Sequence, residues 1–94
     1  MNRLAGKKAV VVGGGTGMGA SLARALASSG ATVLIGGRRQ SALQETAKGT
    51  SIQMHVIDVA DRASCNQFFD WVHQQLAGQV DILVIAAGTN IKNR

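Results

Sequence analysis

Tyrosine and proline are absent from this sequence of 94 residues, and its only cysteine is Cys65. The lack of proline excludes collagen-like and proline-rich linker segments. One cysteine can form neither an internal disulfide nor a metal cluster. No apolar run approaches the roughly 20 residues that cross a bilayer, and no apolar segment of a signal peptide follows the first charged residues. We therefore expect a cytoplasmic protein without a membrane partner.

Acidic residues are also few, with five Asp and Glu against ten Lys and Arg and a net charge of +5. Such a balance invites a nucleic-acid interpretation. The basic residues are scattered, however, and the three aromatic residues Phe68, Phe69 and Trp71 fall within one short segment, so no stacking platform for bases is visible. We expect no nucleic-acid partner. Because His55 and His73 have no further ligand at metal-binding spacing, we expect no metal site.

Hydrophobic residues make up 46% of the chain, and their spacing alternates between two patterns. Apolar, β-branched runs suit buried strands, whereas apolar residues three and four apart suit helices. The predicted segments are strands at residues 8–12, 32–35, 52–57 and 81–87, and helices at residues 17–29, 40–48 and from the cap Asp61 to Gly78. Strict alternation of strands and helices predicts an α/β fold of the Rossmann type, an open parallel sheet with helices on both faces.

The first predicted strand runs into a glycine-rich turn from which a helix leaves. A helix N-terminus offers unpaired N–H groups to a phosphate, and glycine lets the backbone approach a pyrophosphate. The triphosphatase loop requires a lysine where this chain has Ala20. A methyltransferase-like pattern lacks its acidic residues before the glycines and after the second strand. The spacing G-x-x-x-G-x-G of Gly13, Gly17 and Gly19, directly after the strand, favours a dinucleotide.

Four motifs at matching spacing resemble the amino-terminal part of the short-chain dehydrogenase/reductases. They are the lead-in of Leu4, Gly6 and Lys7, the turn of Gly13, Gly17 and Gly19 (T-G-x-x-x-G-x-G in the family), the pair Asp58 and Val59 (D-V), and residues 81–88 (D-x-L-V-N-N-A-G). The alternation of strands and helices predicts the spatial strand order 3-2-1-4, with the cofactor crevice at the carboxyl ends, between strands one and four. The resemblance implies that the carboxylate of Asp58 meets the amino group of adenine.

The resemblance further implies a set of cofactor-binding residues. Three positions depart from the family pattern: Val12 replaces a threonine, and Ile85 and Ala86 replace two asparagines that normally tie the fourth strand to its neighbours. The candidate cofactor-binding residues are Gly13, Gly15, Thr16, Gly17, Met18, Gly19, Arg38, Arg39, Asp58, Val59, Ala87 and Gly88.

The end of the second strand bears on the choice of cofactor. An acid there binds the ribose hydroxyls of NAD(H) and repels a 2′-phosphate, whereas an arginine accommodates the phosphate. Gly37 occupies the place of that acid, and Arg38 and Arg39 follow it. The planar guanidinium of Arg38 suits a phosphate. We therefore predict NADP(H) in preference to NAD(H); the alternative is that both arginines are solvated loop charges.

The missing tyrosine bears on catalysis. In the family a tyrosine acts as general acid and base, aided by a lysine four residues on and by a serine, and all three follow the fourth strand. We therefore expect no catalytic residue in this chain. The resemblance implies that residues 1–94 are the amino-terminal part of one longer domain, inactive alone. It also implies that the complete protein is a homo-oligomeric (dimeric or tetrameric) oxidoreductase that transfers hydride between NADP(H) and an alcohol/carbonyl substrate. The alternative is a non-catalytic NADP-binding sensor or interaction module that ends near residue 94.

Overall fold

Strands and helices alternate along the part of the chain that the computed structural model describes, residues 3–13, 15 and 17–86. None of the helices in these ranges is long and apolar enough to span a membrane. The elements in chain order are β1 (Lys8–Val12), α1 (Gly17–Ser28), β2 (Thr32–Gly37), α2 (Gln40–Ala47), β3 (Gln53–Val56), α3 (Arg62–Leu76) and β4 (Ile82–Ile85). The predicted alternation is confirmed.

The four strands form one sheet in the order β3-β2-β1-β4, and every neighbouring pair is parallel. This is the predicted order and the predicted fold class. Val12, the last residue of β1, pairs with Gly36 on β2 and with Ile85 on β4. The carboxyl ends of the three strands therefore meet at one edge of the sheet, where the glycine-rich turn begins.

Helices cover both faces of the sheet because successive side chains of a strand point to opposite sides. Val11 and Ile35 belong to a core cluster that includes residues of α1 and α2. Val10 and Leu34 belong to a second cluster together with Phe68 of α3. Phe68 is fully buried, and burial of a side chain of this size contributes about 1.5–3 kcal/mol. Both predicted helix layers are thus anchored in the sheet.

Helix α3 begins at the predicted cap. The carboxylate oxygen Oδ1 of Asp61 accepts hydrogen bonds from the backbone N–H groups of Ala63, at 2.9 Å, and Ser64, at 3.4 Å. The helix ends at Leu76, two residues before the predicted end at Gly78. Ala77 is the C-cap residue. It lies in the left-handed region with φ of 54°, and its N–H group donates a hydrogen bond to the carbonyl oxygen of His73.

Asp81 ties the start of β4 to the start of β1. Its carboxylate accepts the backbone N–H of Lys8 at 2.8 Å, and its own N–H donates to the carbonyl oxygen of Lys8 at 2.8 Å. Hydrogen bonds from the side-chain amide of Gln79 and from that Lys8 N–H hold the pKa of Asp81 below its ordinary value. This motif residue therefore lies at the amino ends of the strands and stabilises the sheet.

Candidate functional site

A cleft of about 300 Å³ opens at the carboxyl ends of β1, β2 and β3. It lies where ligands bind in open α/β sheets, outside the carboxyl ends of the strands. Its described lining is on the β2 and β3 side of β1, whereas the sequence placed the crevice between β1 and β4. The residues that line it are Val12, Gly13, Gly15, Gly37, Arg38, Arg39, Ala42, Ile57 and Val59. Five of the predicted binding residues, together with Gly37, are therefore brought together here.

The glycine-rich turn requires glycine at three positions. Gly13 and Gly17 have φ of 94° and 53°, in the left-handed region that other residues rarely adopt. A β-carbon at Gly19 would overlap the carbonyl oxygen of Gly13. The end of β2 also holds the turn in place, because the N–H of Gly13 donates a hydrogen bond to the carbonyl oxygen of Gly36 at 2.6 Å. These three glycines are the ones that the sequence assigns to the dinucleotide turn.

Two residues that line the cleft, Gly15 and Gly37, have no side chain. A β-carbon built on Gly37 would lie 3.2 Å from Cδ2 of Leu43 and 3.9 Å from the backbone nitrogen of Gly15. A β-carbon on Gly15 would lie 3.2 Å from the β-carbon of Ala42. The turn and the end of β2 thus approach each other and α2 so closely that side chains at Gly15 and Gly37 would narrow the cleft.

The charged residues of the described lining are two arginines. Arg38 and Arg39 are both exposed, and Arg39 is the N-cap residue of α2, where its side chain makes no capping hydrogen bond. The first turn of α2 contains no acidic residue, and none of the described lining residues is acidic. Two guanidinium groups without a neighbouring carboxylate give this end of the cleft a positive potential that attracts anions.

The pair Asp58 and Val59 lies on the far side of the cleft, between β3 and α3. Val59 lines the cleft and is 55% exposed. Asp58 is exposed and lies outside the lining set. Its oxygen Oδ1 accepts the N–H of Ala60 at 3.0 Å, which shapes the loop into a turn. The N–H of Asp58 donates to the hydroxyl oxygen of Ser64 at 2.8 Å.

The other predicted residues are distributed as follows. Gly17 and Gly19 begin α1 and shape the turn without lining the cleft, and Met18 between them is 82% exposed. Thr16, Ala87 and Gly88 lie outside the described residues. Among the residues that are described, no group of three or more His, Cys, Asp or Glu side chains could hold a metal ion.

Sequence reasoning missed three residues of the lining, Val12, Ala42 and Ile57. Val12 and Ile57 are almost fully buried. The sequence predicted both as strand residues, and Val12 also as a departure from the family's threonine, but neither as part of the binding site. Ala42 follows Arg39 by three positions and lies on the same face of α2. A small residue one turn after the arginines is the only sequence signal that could have pointed to it.

Comparisons with known proteins agree with this geometry. The profile of the short chain dehydrogenase family matches residues 7–94. A glycine betaine reductase from Emericella nidulans is 41% identical over an aligned length of 90 residues, and the match covers 90% of this chain and 7% of that protein. An uncharacterized oxidoreductase from Caenorhabditis elegans is 39% identical over an aligned length of 93 residues, and the match covers 93% of this chain and 30% of that protein.

The fold is similar to that of solved dehydrogenases. A hydroxysteroid dehydrogenase from Escherichia coli superposes with a TM-score of 0.84 at 29% identity. The match covers 93% of this chain and 39% of that structure. The chain thus spans less than half the length of each of these three proteins.

Proposed function

The chain belongs to the short-chain dehydrogenase family, and on that premise we propose that it forms the cofactor-binding part of an NADP-dependent oxidoreductase. The observation that carries the proposal is the end of β2, where Gly37 leaves the cleft open and Arg38 and Arg39 line it. A carboxylate at Gly37 would repel a 2′-phosphate, and the two arginines attract one.

The glycine-rich turn beside the cleft fits another part of a dinucleotide. The backbone of Gly13, Gly17 and Gly19 at the start of α1 suits the pyrophosphate, because a helix N-terminus supplies N–H donors and a positive dipole end. In this proposal Thr16 and Met18 belong to the same turn.

The ends of the cofactor are assigned in the same way. Asp58 and Val59 contact the adenine, and the backbone of Ala87 and Gly88 lines the cofactor beyond β4. Val59 lies in the cleft wall, which supports the adenine assignment.

The proposed reaction is hydride transfer between NADP(H) and an alcohol/carbonyl substrate. The bound cofactor supplies the hydride, and this chain's residues bind and orient it. We propose that the acid/base residues belong to further sequence of one longer domain, which is consistent with a chain that spans 30% of the C. elegans relative and 39% of the E. coli structure. The names of the relatives point to unlike substrates, a betaine and a hydroxysteroid, so the proposal names no particular carbonyl compound.

The complete protein is further proposed to be a cytoplasmic homo-oligomer, a dimer or a tetramer, which its family membership supports. Size-exclusion chromatography with light scattering tests the assembly. A monomer at micromolar concentration would contradict it.

The function is tested on the full-length natural protein. Its intact mass comes first, because a mass near 9.7 kDa would favour the non-catalytic module. Isothermal titration with NADP⁺ and NAD⁺ then measures the preference, and loss of NADPH absorbance over a panel of ketones and aldehydes measures turnover. Equal affinity for the two cofactors would overturn the NADP assignment. Binding without turnover of any carbonyl compound would overturn the proposed reaction.

A further inference from the structure

We propose that Ser64 is a positioning residue, which fixes Asp58 in the orientation that selects adenine over other purines. The inference rests on the proposed function, because it presupposes that Asp58 meets the adenine. It adds a residue of α3 that lies outside the cleft lining and that belongs to none of the motifs of the sequence.

Residues at the start of α3 bind both backbone polar groups of Asp58, its N–H and its carbonyl oxygen. Its N–H donates to the hydroxyl oxygen of Ser64 at 2.8 Å. Its carbonyl oxygen accepts the N–H of Asp61 at 3.0 Å and, more weakly, the thiol of Cys65 at 3.8 Å. Among the described residues, Ser64 provides the one side-chain contact of ordinary hydrogen-bond length to this backbone.

The side chain of Asp58 is fixed in turn. Its oxygen Oδ1 accepts the N–H of Ala60 at 3.0 Å. Within the described residues, the hydrogen bonds leave Oδ2 without a donor. One oxygen therefore holds the loop and the other can accept a hydrogen bond from a ligand. Since the loop is exposed, the direction of Oδ2 depends on the anchor of the backbone at Ser64.

Loss of the Ser64 hydroxyl leaves the helix cap in place. Asp61 caps α3 through its own carboxylate, which accepts the backbone N–H groups of Ala63 and Ser64. A substitution at Ser64 retains that backbone N–H. The variant Ser64→Ala therefore removes the contact with Asp58 and keeps both hydrogen bonds of the cap.

The preference for adenine over hypoxanthine can be measured, and a residue with a merely structural role would not change it. Adenine presents an amino donor to a carboxylate, whereas hypoxanthine presents an oxygen at the same position, which the carboxylate repels. The ratio of the dissociation constants for the hypoxanthine analogue of NADP⁺ and for NADP⁺ itself therefore reports the placement of Asp58. We expect a preference of about 10-fold or more for adenine, because a hydrogen bond to a charged group changes affinity by this order.

The experiment measures that ratio by titration of the full-length protein. Ser64→Ala should lower the adenine preference by about 3- to 10-fold, chiefly through weaker binding of NADP⁺. Ser64→Thr keeps the hydroxyl and should retain the preference. Ser64→Cys replaces it by a weaker acceptor and should give an intermediate value. Ser51→Ala, a serine-to-alanine change at an exposed position outside the cleft, should leave the ratio unchanged.

A double-mutant cycle with Asp58→Ala separates this inference from the proposed function. If Asp58→Ala leaves the adenine preference intact, Asp58 does not contact the adenine, and both that assignment and the inference about Ser64 are wrong. If Asp58→Ala removes the preference but Ser64→Ala weakens both dinucleotides equally, only the positioning role is wrong. Support requires that Ser64→Ala has no further effect on the ratio once Asp58 is absent, since coupled residues are not additive.

Discussion

Removal of the Arg38 guanidinium is the most direct perturbation of the proposed cofactor preference. In the full-length protein, Arg38→Ala should weaken NADP(H) binding and leave NAD(H) binding almost unchanged. Arg38 lines the cleft and is exposed. A 2′-phosphate is present in one cofactor and absent from the other, so an effect on only one affinity identifies the group that Arg38 contacts.

The magnitude follows from the exposure of the side chain. A hydrogen bond to a charged group contributes about 1.5–3 kcal/mol. Because the guanidinium of Arg38 is exposed, solvent and salt screen the interaction, and we expect the lower part of this range. The dissociation constant for NADP(H) should therefore rise by about 10- to 30-fold.

The reverse perturbation is Gly37→Asp, which introduces a carboxylate at the end of β2. The new β-carbon would lie 3.2 Å from Cδ2 of Leu43, a fully buried core residue, so that side chain must shift by a few tenths of an ångström. A like charge within about 5 Å of the phosphate costs about 1–3 kcal/mol between the dielectric limits of protein surface and water. The variant should lose NADP(H) affinity and gain NAD(H) affinity, because the carboxylate can bind the ribose hydroxyls.

Titrations of both variants with both cofactors at fixed ionic strength measure these changes. Arg3→Ala is the matched control, since Arg3 is exposed and does not line the cleft. It should leave both dissociation constants unchanged. An equal change of both affinities in Arg38→Ala would show that this arginine is a solvated loop charge and would refute the NADP assignment.

Three further predictions concern stability and assembly. Because its hydrogen bonds hold the pKa of Asp81 below the unfolded value, their contribution is present at neutral pH and is lost as the pH falls through the folded pKa. Asp81→Asn should therefore lower the melting temperature at pH 7, and this difference should shrink as the pH falls through the folded pKa of Asp81. An equal effect at pH 7 and in strong acid would contradict this. A β-carbon at Gly36 would lie 2.6 Å from Cζ of Phe68, so Gly36→Ala should destabilise the fold by about 1–3 kcal/mol in urea unfolding; failure of Phe68→Leu to restore part of that loss would count against the packing argument. The 94-residue chain alone should show no dehydrogenase activity and should associate at high micromolar concentration, since Leu83 and Ile85 of β4 are 54% and 63% exposed; cooperative, reversible unfolding of a monomer would overturn the second statement.

The sheet and its strand order could be predicted because their determinants are local. The apolar run of β1, the glycine spacing after it and the alternation of patterns each arise from neighbouring residues. The end of β2 was placed two residues too early, at Ile35. Gly36 and Gly37 have low strand propensity, yet they pair in parallel with His55 and Val56 of β3.

The bounds of β3 were missed for the opposite reason. Ile52 and Ile57 are buried and apolar, and the sequence therefore predicted a strand from one to the other. Only Gln53–Val56 belongs to the strand, because pairing with β2 spans these residues alone. β4 was likewise predicted at residues 81–87 and is described as Ile82–Ile85. Burial of a side chain does not reveal whether its backbone is in a strand or in the adjoining loop.

The candidate site was predictable where backbone geometry demands a particular residue. Positive φ at Gly13 and Gly17 leaves a trace in the sequence because few other residues are tolerated there. The hydroxyl of Ser64 leaves no such trace. Its role depends on the distance between the loop after β3 and the first turn of α3, which arises only when α3 packs on the sheet through Phe68.

Two adjacent glycines at the end of β2 carry different constraints, because neighbouring strand residues face opposite sides of the sheet. A β-carbon at Gly36 would meet the buried ring of Phe68 and the side chain of Ile57, both part of the core. A β-carbon at Gly37 would lie 3.2 Å from Cδ2 of the buried Leu43 and 3.9 Å from the backbone nitrogen of Gly15. Packing against α3 therefore fixes glycine at the first position, whereas the second can accept a side chain. In the proposed site, a carboxylate that changes the cofactor preference can therefore be introduced at Gly37 with a small displacement of the core residue Leu43, whereas the same substitution at Gly36 would overlap the ring of Phe68.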